Sequence, residues 1–223
     1  MLHTSKNLVY GLVALGLIIA CKESTVKEKS SRVASLPYYK DASFTPNWLP
    51  IKSTETEAFH AIPEFNLVNQ LGDTVTHATF ENIIYVTDFF FTVCPGICPK
   101  MTDNMLMLQE AFLHDDEVQF LSHSVTPKRD SVEVLRAYAD NKGIIDNKWH
   151  LVTGDRTEIY HLGRNHYFVE EDLGKERTDD DFLHTENFLL IDKNKHIRGI
   201  YNGLNKTAIS QLIADIKTLK KES

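Results

Sequence analysis

The chain has 223 residues, of which 42% are hydrophobic and 25% are charged, and its formal net charge is −7. This composition is typical of a globular protein and excludes a disordered one. The negative charge and the lack of a basic patch argue against nucleic acid as a partner, because phosphate binding needs clustered lysines and arginines. Three cysteines are too few for a disulfide framework.

An apolar run, residues 8–21, follows Lys6 near the start of the chain and ends at Cys21. The run is shorter than the ~20 residues of a membrane-spanning helix, but it has the size of a signal-peptide core. Its last four residues, Ile-Ile-Ala-Cys, resemble a bacterial lipobox, in which the cysteine takes lipid on its sulfur. We therefore predict a lipoprotein signal over residues 1–21, with Cys21 lipidated and the domain in the cell envelope, outside the cytoplasm. The alternatives are an uncleaved membrane anchor and a soluble cytosolic protein with a buried first helix.

The next segment, residues 22–55, is predicted to tether this anchor to one domain over residues 56–223. Its first half is rich in Ser, Lys and Glu and has no sustained period. Prolines and aromatic residues between 36 and 50 indicate that the second half packs on the domain surface in extended form.

Strand and helix patterns alternate along the domain. Alternating residues around 65–69 and a return strand at 74–76 predict an N-terminal β-hairpin. Apolar runs then predict three strands, at 83–91, 118–125 and 149–153. Helices are predicted after each of them, at 99–113, at 130–141 and from 155 to about 165. A second hairpin over 187–201 and an amphipathic helix over 206–220 end the domain. This order predicts an α/β fold in which a mixed central sheet is flanked by helices on both faces.

Two cysteines lie where the strand at 83–91 gives way to a helix, in the run Cys94-Pro95-Gly96-Ile97-Cys98-Pro99. Ligands of such sheets bind at the carboxyl ends of the central strands. Pro99 suits the first turn of a helix, where its missing N–H is not needed, so Cys98 should lie at or near the N-cap. The positive end of the helix then predicts lowered pKa values for both thiols.

The spacing of the cysteines suits a two-sulfur clamp. If the turn between them is helical, Cys94 and Cys98 stand in an i, i+4 relation and face one way. Two thiolates favour a soft ion, copper(I), with zinc as a competitor. A structural zinc site needs four ligands, and the chain has no second cysteine pair. The same two thiols can instead form a dithiol/disulfide pair that exchanges with other proteins, a structural disulfide, or two buried thiols.

These residues carry a resemblance. The segment 88–101, Asp-Phe-Phe-Phe-Thr-Val-Cys-Pro-Gly-Ile-Cys-Pro-Lys-Met, resembles the signature of the Sco/SenC family, thioredoxin-like copper proteins that assist assembly of cytochrome c oxidase. The segment 124–138 resembles the strand-loop-helix that follows the second central strand in that family. The resemblance covers about residues 56–220 and implies a thioredoxin-like fold.

The resemblance also implies a metal site made of Cys94, Cys98 and a late histidine, which here is His184. It implies that the two sulfurs hold copper(I) and that His184 becomes important for copper(II). Asp88 is a candidate neighbour of the site. His123 replaces a residue that is commonly small or apolar in the family, so it is a candidate ligand or neighbour, with a packing histidine as the alternative.

The remaining methionines, acidic residues and histidines that could bind a metal are predicted mainly to pack in the core or to lie at the surface. Met101 and Met105 share helical spacing with Leu108, which favours core packing over copper ligation. The acidic segment 168–181 is predicted to be a solvated loop, or otherwise to meet a basic partner or an arriving cation. Seven further histidines are predicted to lie at the surface: His60, His77, His114, His150, His161, His166 and His196.

The function implied by the resemblance is copper handling. The protein would deliver copper to the dinuclear copper site of a respiratory oxidase, or keep the cysteines of that site reduced, with Cys94 and Cys98 as ligands and as a redox pair. Its partners would be the copper-site subunit of the oxidase, another thioredoxin-like reductase, and the membrane through the lipid anchor. Whether it is an enzyme stays open. The alternatives are a thiol-disulfide oxidoreductase without metal delivery and a redox or copper sensor.

Overall fold

A mixed β-sheet lies at the centre of the structure, a computed structural model that describes residues 30–170 and 182–222. Within these residues the sheet has seven strands: β1 (Leu67–Asn69), β2 (Thr74–Val75), β3 (Ile84–Phe90), β4 (Val118–Ser124), β5 (Trp149–Thr153), β6 (Asn187–Ile191) and β7 (Ile197–Asn202). The helices are α1 (Thr54–Glu57), α2 (Cys98–Ala111), α3 (Val132–Lys142), α4 (Arg156–His161) and α5 (Lys206–Glu222). A 3₁₀ turn covers His77–Phe80 and a π-helical turn covers Leu162–His166.

The strand order is β2-β1-β5-β4-β3-β6-β7. The central strands β3, β4 and β5 are parallel, and the outer pairs on both sides are antiparallel. The predicted mixed sheet and both predicted hairpins, β1–β2 and β6–β7, are therefore confirmed. The carboxyl ends of β3 and β4 lie side by side, with Phe90 paired to Ser124.

The central strand is buried along its whole length, as its continuous apolar sequence predicts. Side chains alternate between two cores. Val86 and Phe90 face the core formed with α2, α3 and α5, whereas Tyr85 and Phe89 face the core formed with α4 and the π-helical turn. The predicted helices on both faces are confirmed. Met101 and Met105 have no solvent exposure and pack in the first core, as their spacing predicts.

The helix α3 begins two residues later than predicted. Ser131 is its N-cap and accepts a hydrogen bond from the Val134 N–H at 3.4 Å. Asp130 is completely buried and turns toward the loop after β3 instead. At the other end Gly143 has a φ of 73°, a left-handed conformation that glycine adopts without strain.

Part of the predicted tether packs against the domain. Leu36 and Tyr38 are buried, and Tyr38 and Tyr39 form backbone bridges to Asn47 and to Ile197 of β7. The boundaries at 22–55 and 56–223 stay predictions.

In the part of the chain that the structure describes, no helix has the length and apolar character needed to cross a membrane. The predicted signal with Cys21 lies outside the described residues, and so do residues 171–181 of the acidic segment 168–181.

Candidate functional site

A depression of about 500 Å³ opens at the carboxyl end of β3. Cys94 and Cys98 line it, and so does His184, which lies in the loop before β6. The rest of its lining is mostly apolar: Phe89, Phe91, Pro95, Gly96, Ile97, Val125, Phe182, Leu183 and Thr185. The three residues predicted as copper ligands thus line one depression.

The two cysteines meet through a turn rather than through a helix. The N-cap of α2 is Ile97, and Cys98 is its first residue, so residues 94–97 are not helical. Instead, the Cys98 N–H donates to the Cys94 Sγ at 3.5 Å. A second hydrogen bond joins the two thiols themselves, so the sulfurs lie side by side without helical spacing. The two cysteines are free thiols in the structure.

The two thiols have opposite pKa shifts. Partial burial raises the pKa of Cys94, but hydrogen bonds from the Cys98 thiol and from the backbone N–H groups of Cys98, Gly96 and Ile97 outweigh it and lower that pKa. Burial raises the pKa of Cys98 to about 12, aided by its hydrogen bond to Cys94. The prediction of lowered pKa values for both thiols is therefore wrong for Cys98. Its side chain lies inside the core, where the cost of burying a thiolate exceeds the effect of the helix end.

We expect iodoacetamide to alkylate Cys94 at least about 30 times faster than Cys98. Below both pKa values, a pKa difference of about 3 changes the thiolate fraction about 1000-fold, and a Brønsted slope of about 0.5 offsets about 30-fold of this through the lower nucleophilicity of the more acidic thiol. The pKa of Cys94 lies below the usual 9.0 and that of Cys98 is about 12, so the difference exceeds this value. Peptide mass spectrometry of the reduced chain separates these sites from Cys21. In a Cys94→Ser variant, Cys98 should stay slow because burial persists. Equal rates at both cysteines in the unaltered chain would contradict the assignment.

His184 faces solvent at the rim of the depression. Its Nδ1 lies 3.2 Å from the Phe182 carbonyl oxygen, and the Phe182 ring stands edge-on to Phe91 at 5.3 Å. Within residues 30–170 and 182–222, no three His, Cys, Asp or Glu side chains are already gathered as a metal site. His184 therefore lines the same depression as the cysteines without forming a closed three-ligand arrangement with them.

Asp88 and His123 lie on opposite faces of the sheet. Asp88 faces α2, accepts a short hydrogen bond from the Ser122 hydroxyl, and has a pKa raised to about 7 by burial. The negative charge of Asp88 also contributes to the raised pKa of Cys98. Asp88 therefore acts electrostatically on Cys98 from the face of the sheet that packs against α2.

His123 is buried in the second core. Its ring stacks on Phe89 at 4.6 Å, and its Nδ1 lies 3.1 Å from the Thr87 hydroxyl. Burial lowers its pKa to about 3, and its Nε2 has no hydrogen-bond partner among the described residues. His123 contacts Phe89, which lines the depression. Among the described residues, His123 itself does not line it.

A buried carboxylate that sequence reasoning missed holds the loop in front of Cys94. Asp130 accepts hydrogen bonds from the Thr92 hydroxyl at 2.6 Å and the Thr92 N–H at 3.3 Å. It also accepts from the hydroxyls of Ser124 at 2.6 Å and Thr126 at 2.9 Å. Thr92 is 38 residues away from Asp130, so the sequence does not indicate this contact. Its only signal is an Asp just before a predicted helix.

Comparisons with known proteins agree with these features. The SCO1/SenC family model matches residues 53–221. A SCO1 protein homolog of Bacillus subtilis is 27% identical over 161 residues, which cover 71% of this chain and 82% of the relative.

Two solved structures are also similar. A SCO1/SenC family lipoprotein from Bacillus anthracis has a TM-score of 0.64 and 29% identity over 72% of this chain and 95% of its own. BsSco, a member of the Sco family of cytochrome c oxidase assembly proteins in which a disulfide switch was identified, has a TM-score of 0.62 and 27% identity over 73% of this chain and 94% of its own. The predicted thioredoxin-like fold is confirmed. Because the family model matches most of its length, the chain belongs to the SCO1/SenC family.

Proposed function

We propose that this protein binds copper through Cys94 and Cys98 and delivers it to the dinuclear copper site of cytochrome c oxidase. The observation that carries the proposal is the placement of two thiols and the His184 imidazole around one open depression. Copper is the cargo here, so the site has to release it as well as bind it. Family membership supports an assembly role, because the similar BsSco is a cytochrome c oxidase assembly protein.

The donor set fits copper(I). Thiolates are the ligands that this soft ion prefers, and the two thiols are hydrogen-bonded to each other. His184 would add a nitrogen ligand, which suits copper(II). A mostly apolar lining favours the low net charge of a copper(I) dithiolate over a hydrated divalent ion.

The rim suits a protein partner. Three apolar side chains around the depression stay exposed: Val93 at 47%, Ile97 at 37% and Phe182 at 43%. Exposed apolar groups beside a functional site are typical of surfaces that bind another protein. We propose that the copper-site subunit of the oxidase docks here, so that its ligands replace Cys94, Cys98 and His184 one at a time.

A copper(I) titration of the reduced full chain against a chromogenic competitor tests the proposal. We expect one ion per chain, and we expect Cys94→Ser or Cys98→Ser to weaken binding by more than about 100-fold, above the effect of changing a group outside the ligand shell. His184→Ala should alter the copper(II) spectrum more than the copper(I) affinity. His114 is an exposed histidine outside the depression, so His114→Ala is the matched control and should change neither copper property. Binding no tighter than that of an ordinary dithiol would overturn copper delivery.

A second candidate function is favoured by the unequal thiols. In a thiol-disulfide reductase, the thiolate with the lower pKa attacks one sulfur of the partner's disulfide, forms a mixed disulfide with it, and releases the partner's other sulfur as a thiolate. The second thiol then loses its proton, attacks the sulfur of the first cysteine, and displaces the partner sulfur that was held in the mixed disulfide. Cys94 and Cys98 suit these two roles. The partner gains two electrons and two protons, and Cys94 and Cys98 are left as a disulfide.

Trapping separates the two functions. A Cys98→Ser variant mixed with an oxidised peptide of the oxidase copper site should accumulate a mixed disulfide through Cys94 if the protein is a reductase. A pure copper carrier would transfer copper(I) to the reduced peptide and form no such adduct with the oxidised one.

Asp130 should act as a positioning residue for the copper site. In Asp130→Ala, four donors on Thr92, Ser124 and Thr126 lose their buried acceptor, so the loop that carries Cys94 loosens. We expect the copper(I) affinity to fall about 10- to 100-fold, the usual effect of groups that orient ligands. Asp130→Asn keeps one acceptor oxygen and should restore part of it. An unchanged affinity in a folded Asp130→Ala protein would show that the network does not position Cys94.

The anchor is proposed from sequence alone. A lipid on Cys21 would hold the domain in the cell envelope, at the membrane that contains the oxidase. Metabolic labelling with a radioactive fatty acid should mark the protein and fail to mark Cys21→Ser. Labelling of neither protein would leave an uncleaved helix as the anchor.

A further inference from the structure

Two histidines predicted as unrelated surface residues lie together beside the π-helical turn. His161 ends α4 and His166 ends the turn Leu162–His166. Their ring centroids are 4.9 Å apart, with 62° between the ring planes. His161 is exposed and His166 is half-buried, so both rings are within reach of an ion from solvent.

The π-helical turn is what brings this pair together. In an α-helix, residues five apart point about 140° away from each other, because a turn has 3.6 residues. Here the Tyr167 N–H bonds to the Leu162 carbonyl oxygen at 2.8 Å, an i→i+5 closure that widens the turn. Position 166 therefore returns to the side of the helix that carries position 161. Such turns are rare and frequently occur at functional sites.

Neighbouring residues fix the turn on both sides. A Cβ on Gly163 would stand 3.0 Å from Phe89 and 3.2 Å from Leu183, so a larger residue would push these side chains away and glycine favours the close packing of the turn behind the depression. On the outer side, the His60 Nε2 lies 2.8 Å from the His166 carbonyl oxygen. Phe168, which follows the turn, has a φ of 51°, an uncommon conformation for a bulky residue, and its ring contacts His60.

The ring distance fits a shared metal ion. With metal–nitrogen bonds of about 2.0 Å, each ring centroid lies about 3.1 Å from the ion, so two imidazoles at angles of about 90–110° have centroids about 4.4–5.1 Å apart. The observed 4.9 Å falls in this range. Imidazole nitrogens bind divalent first-row ions, and copper(II) is bound most tightly in that series.

We propose that His161 and His166 form a second metal site, which binds one divalent transition ion, preferentially Cu²⁺, at the surface. Water or a partner group completes the coordination, and His60 acts as a positioning residue that holds the turn through the His166 carbonyl. The site is separate from Cys94, Cys98 and His184 and does not depend on their proposed function. Its protein ligands are imidazole nitrogens, so it takes the divalent ion that the two-thiol site does not prefer.

Equilibrium dialysis with Cu²⁺ tests the site in the full chain. The background carries Cys94→Ser, Cys98→Ser and His184→Ala, which removes the other proposed ligands. Adding His161→Gln and His166→Gln should lose one bound Cu²⁺ per chain, while adding His114→Gln should lose none. Pulsed electron paramagnetic resonance should show modulation from two imidazoles, and that signal should disappear with the lost ion. An equal number of bound ions in both variants would overturn the proposal.

A second measurement uses the unaltered chain, in case the multiple variants fail to fold. Diethyl pyrocarbonate modifies free imidazoles, and peptide mass spectrometry reports each histidine. Zn²⁺, which does not oxidise thiols, should protect His161 and His166 from modification and leave His114 reactive. Modification of His161 and His166 at the same rate with and without Zn²⁺ would also overturn the site.

Discussion

Replacing Arg198 by alanine should lower the free energy of unfolding by about 3–5 kcal/mol, the effect of removing one partner from a buried ionic network. The Arg198 side chain is 3% exposed, and its guanidinium contacts two carboxylates that are each 7% exposed. Nη1 donates to Asp192 at 3.2 Å and Nη2 donates to Glu222 at 2.6 Å. Without Arg198, both buried carboxylates lose their countercharge. Urea denaturation monitored by tryptophan fluorescence measures the loss.

The same guanidinium ties the segment before the domain to the sheet. It donates to the carbonyl oxygens of Leu36 at 2.7 Å and Pro37 at 3.1 Å, and it stacks over the Tyr38 ring at 3.9 Å. The Arg198→Ala protein should therefore also expose residues 36–39 to proteolysis. Matching cleavage rates in variant and parent would show that the segment is held by its other contacts.

A surface ion pair provides the control. Lys193 donates to Glu117 at 2.6 Å, but the two side chains are 24% and 50% exposed. Lys193→Ala should change the free energy of unfolding by less than about 1 kcal/mol, as exposed pairs do. If Arg198→Ala were no more destabilising than Lys193→Ala, the network would not stabilise the fold.

The sequence predicts the parts of this fold that depend on local pattern. The continuous apolar run of β3 indicates a strand covered on both faces, and the helical spacing of Met101 and Met105 indicates a core helix. Both signals come from neighbours along the chain. The cysteine site is predictable for the same reason, since Cys94 and Cys98 lie within one strand-to-helix connection.

Contacts between distant residues explain what the sequence does not predict. The pKa of Cys98 depends on burial under a core assembled from several elements, so reasoning from the helix end alone gives the wrong direction. Asp130 looks like a helix-start residue because its partner Thr92 is far away in sequence. The sequence predicts a surface position for His196, but this residue is buried and its Nδ1 lies 2.9 Å from the His60 carbonyl oxygen, 136 residues away. The placement of His184 came from the family resemblance rather than from its spacing.

As pH rises from about 4 to about 7, the fold should lose the stability that protonated Asp88 contributes. Burial raises its pKa from 3.8 to about 7, so the folded state keeps a proton that the unfolded state has released in this interval. Folding then binds more protons, and stability decreases with pH. A pKa difference of about 3 corresponds to about 4 kcal/mol, fully lost above pH 7.

Asp88→Asn removes this titration while keeping an acceptor oxygen for the Ser122 hydroxyl. We expect the variant to be close to the parent in free energy of unfolding at pH 4 and to gain on it by up to about 4 kcal/mol by pH 8, since the parent must then bury a carboxylate. The buried His123 has a pKa lowered to about 3 and acts in the opposite direction, but its contribution is common to both proteins and cancels in the difference. Urea denaturation at several pH values measures the difference in free energy of unfolding between Asp88→Asn and the parent.

An exposed carboxylate on α2 provides a control that distinguishes the effect of burial from the effect of removing a charge. Asp103 is 67% exposed and pairs with Lys142 at 3.3 Å, so Asp103→Asn should shift stability by less than about 1 kcal/mol at every pH. Asp88 also adds to the raised pKa of Cys98, so its neutral replacement should lower that pKa and speed alkylation of Cys98. A pH-independent difference between Asp88→Asn and the parent would mean that Asp88 is charged in the folded protein throughout. In that case a fixed negative charge would lie near the two sulfurs and oppose formation of the Cys98 thiolate at every pH.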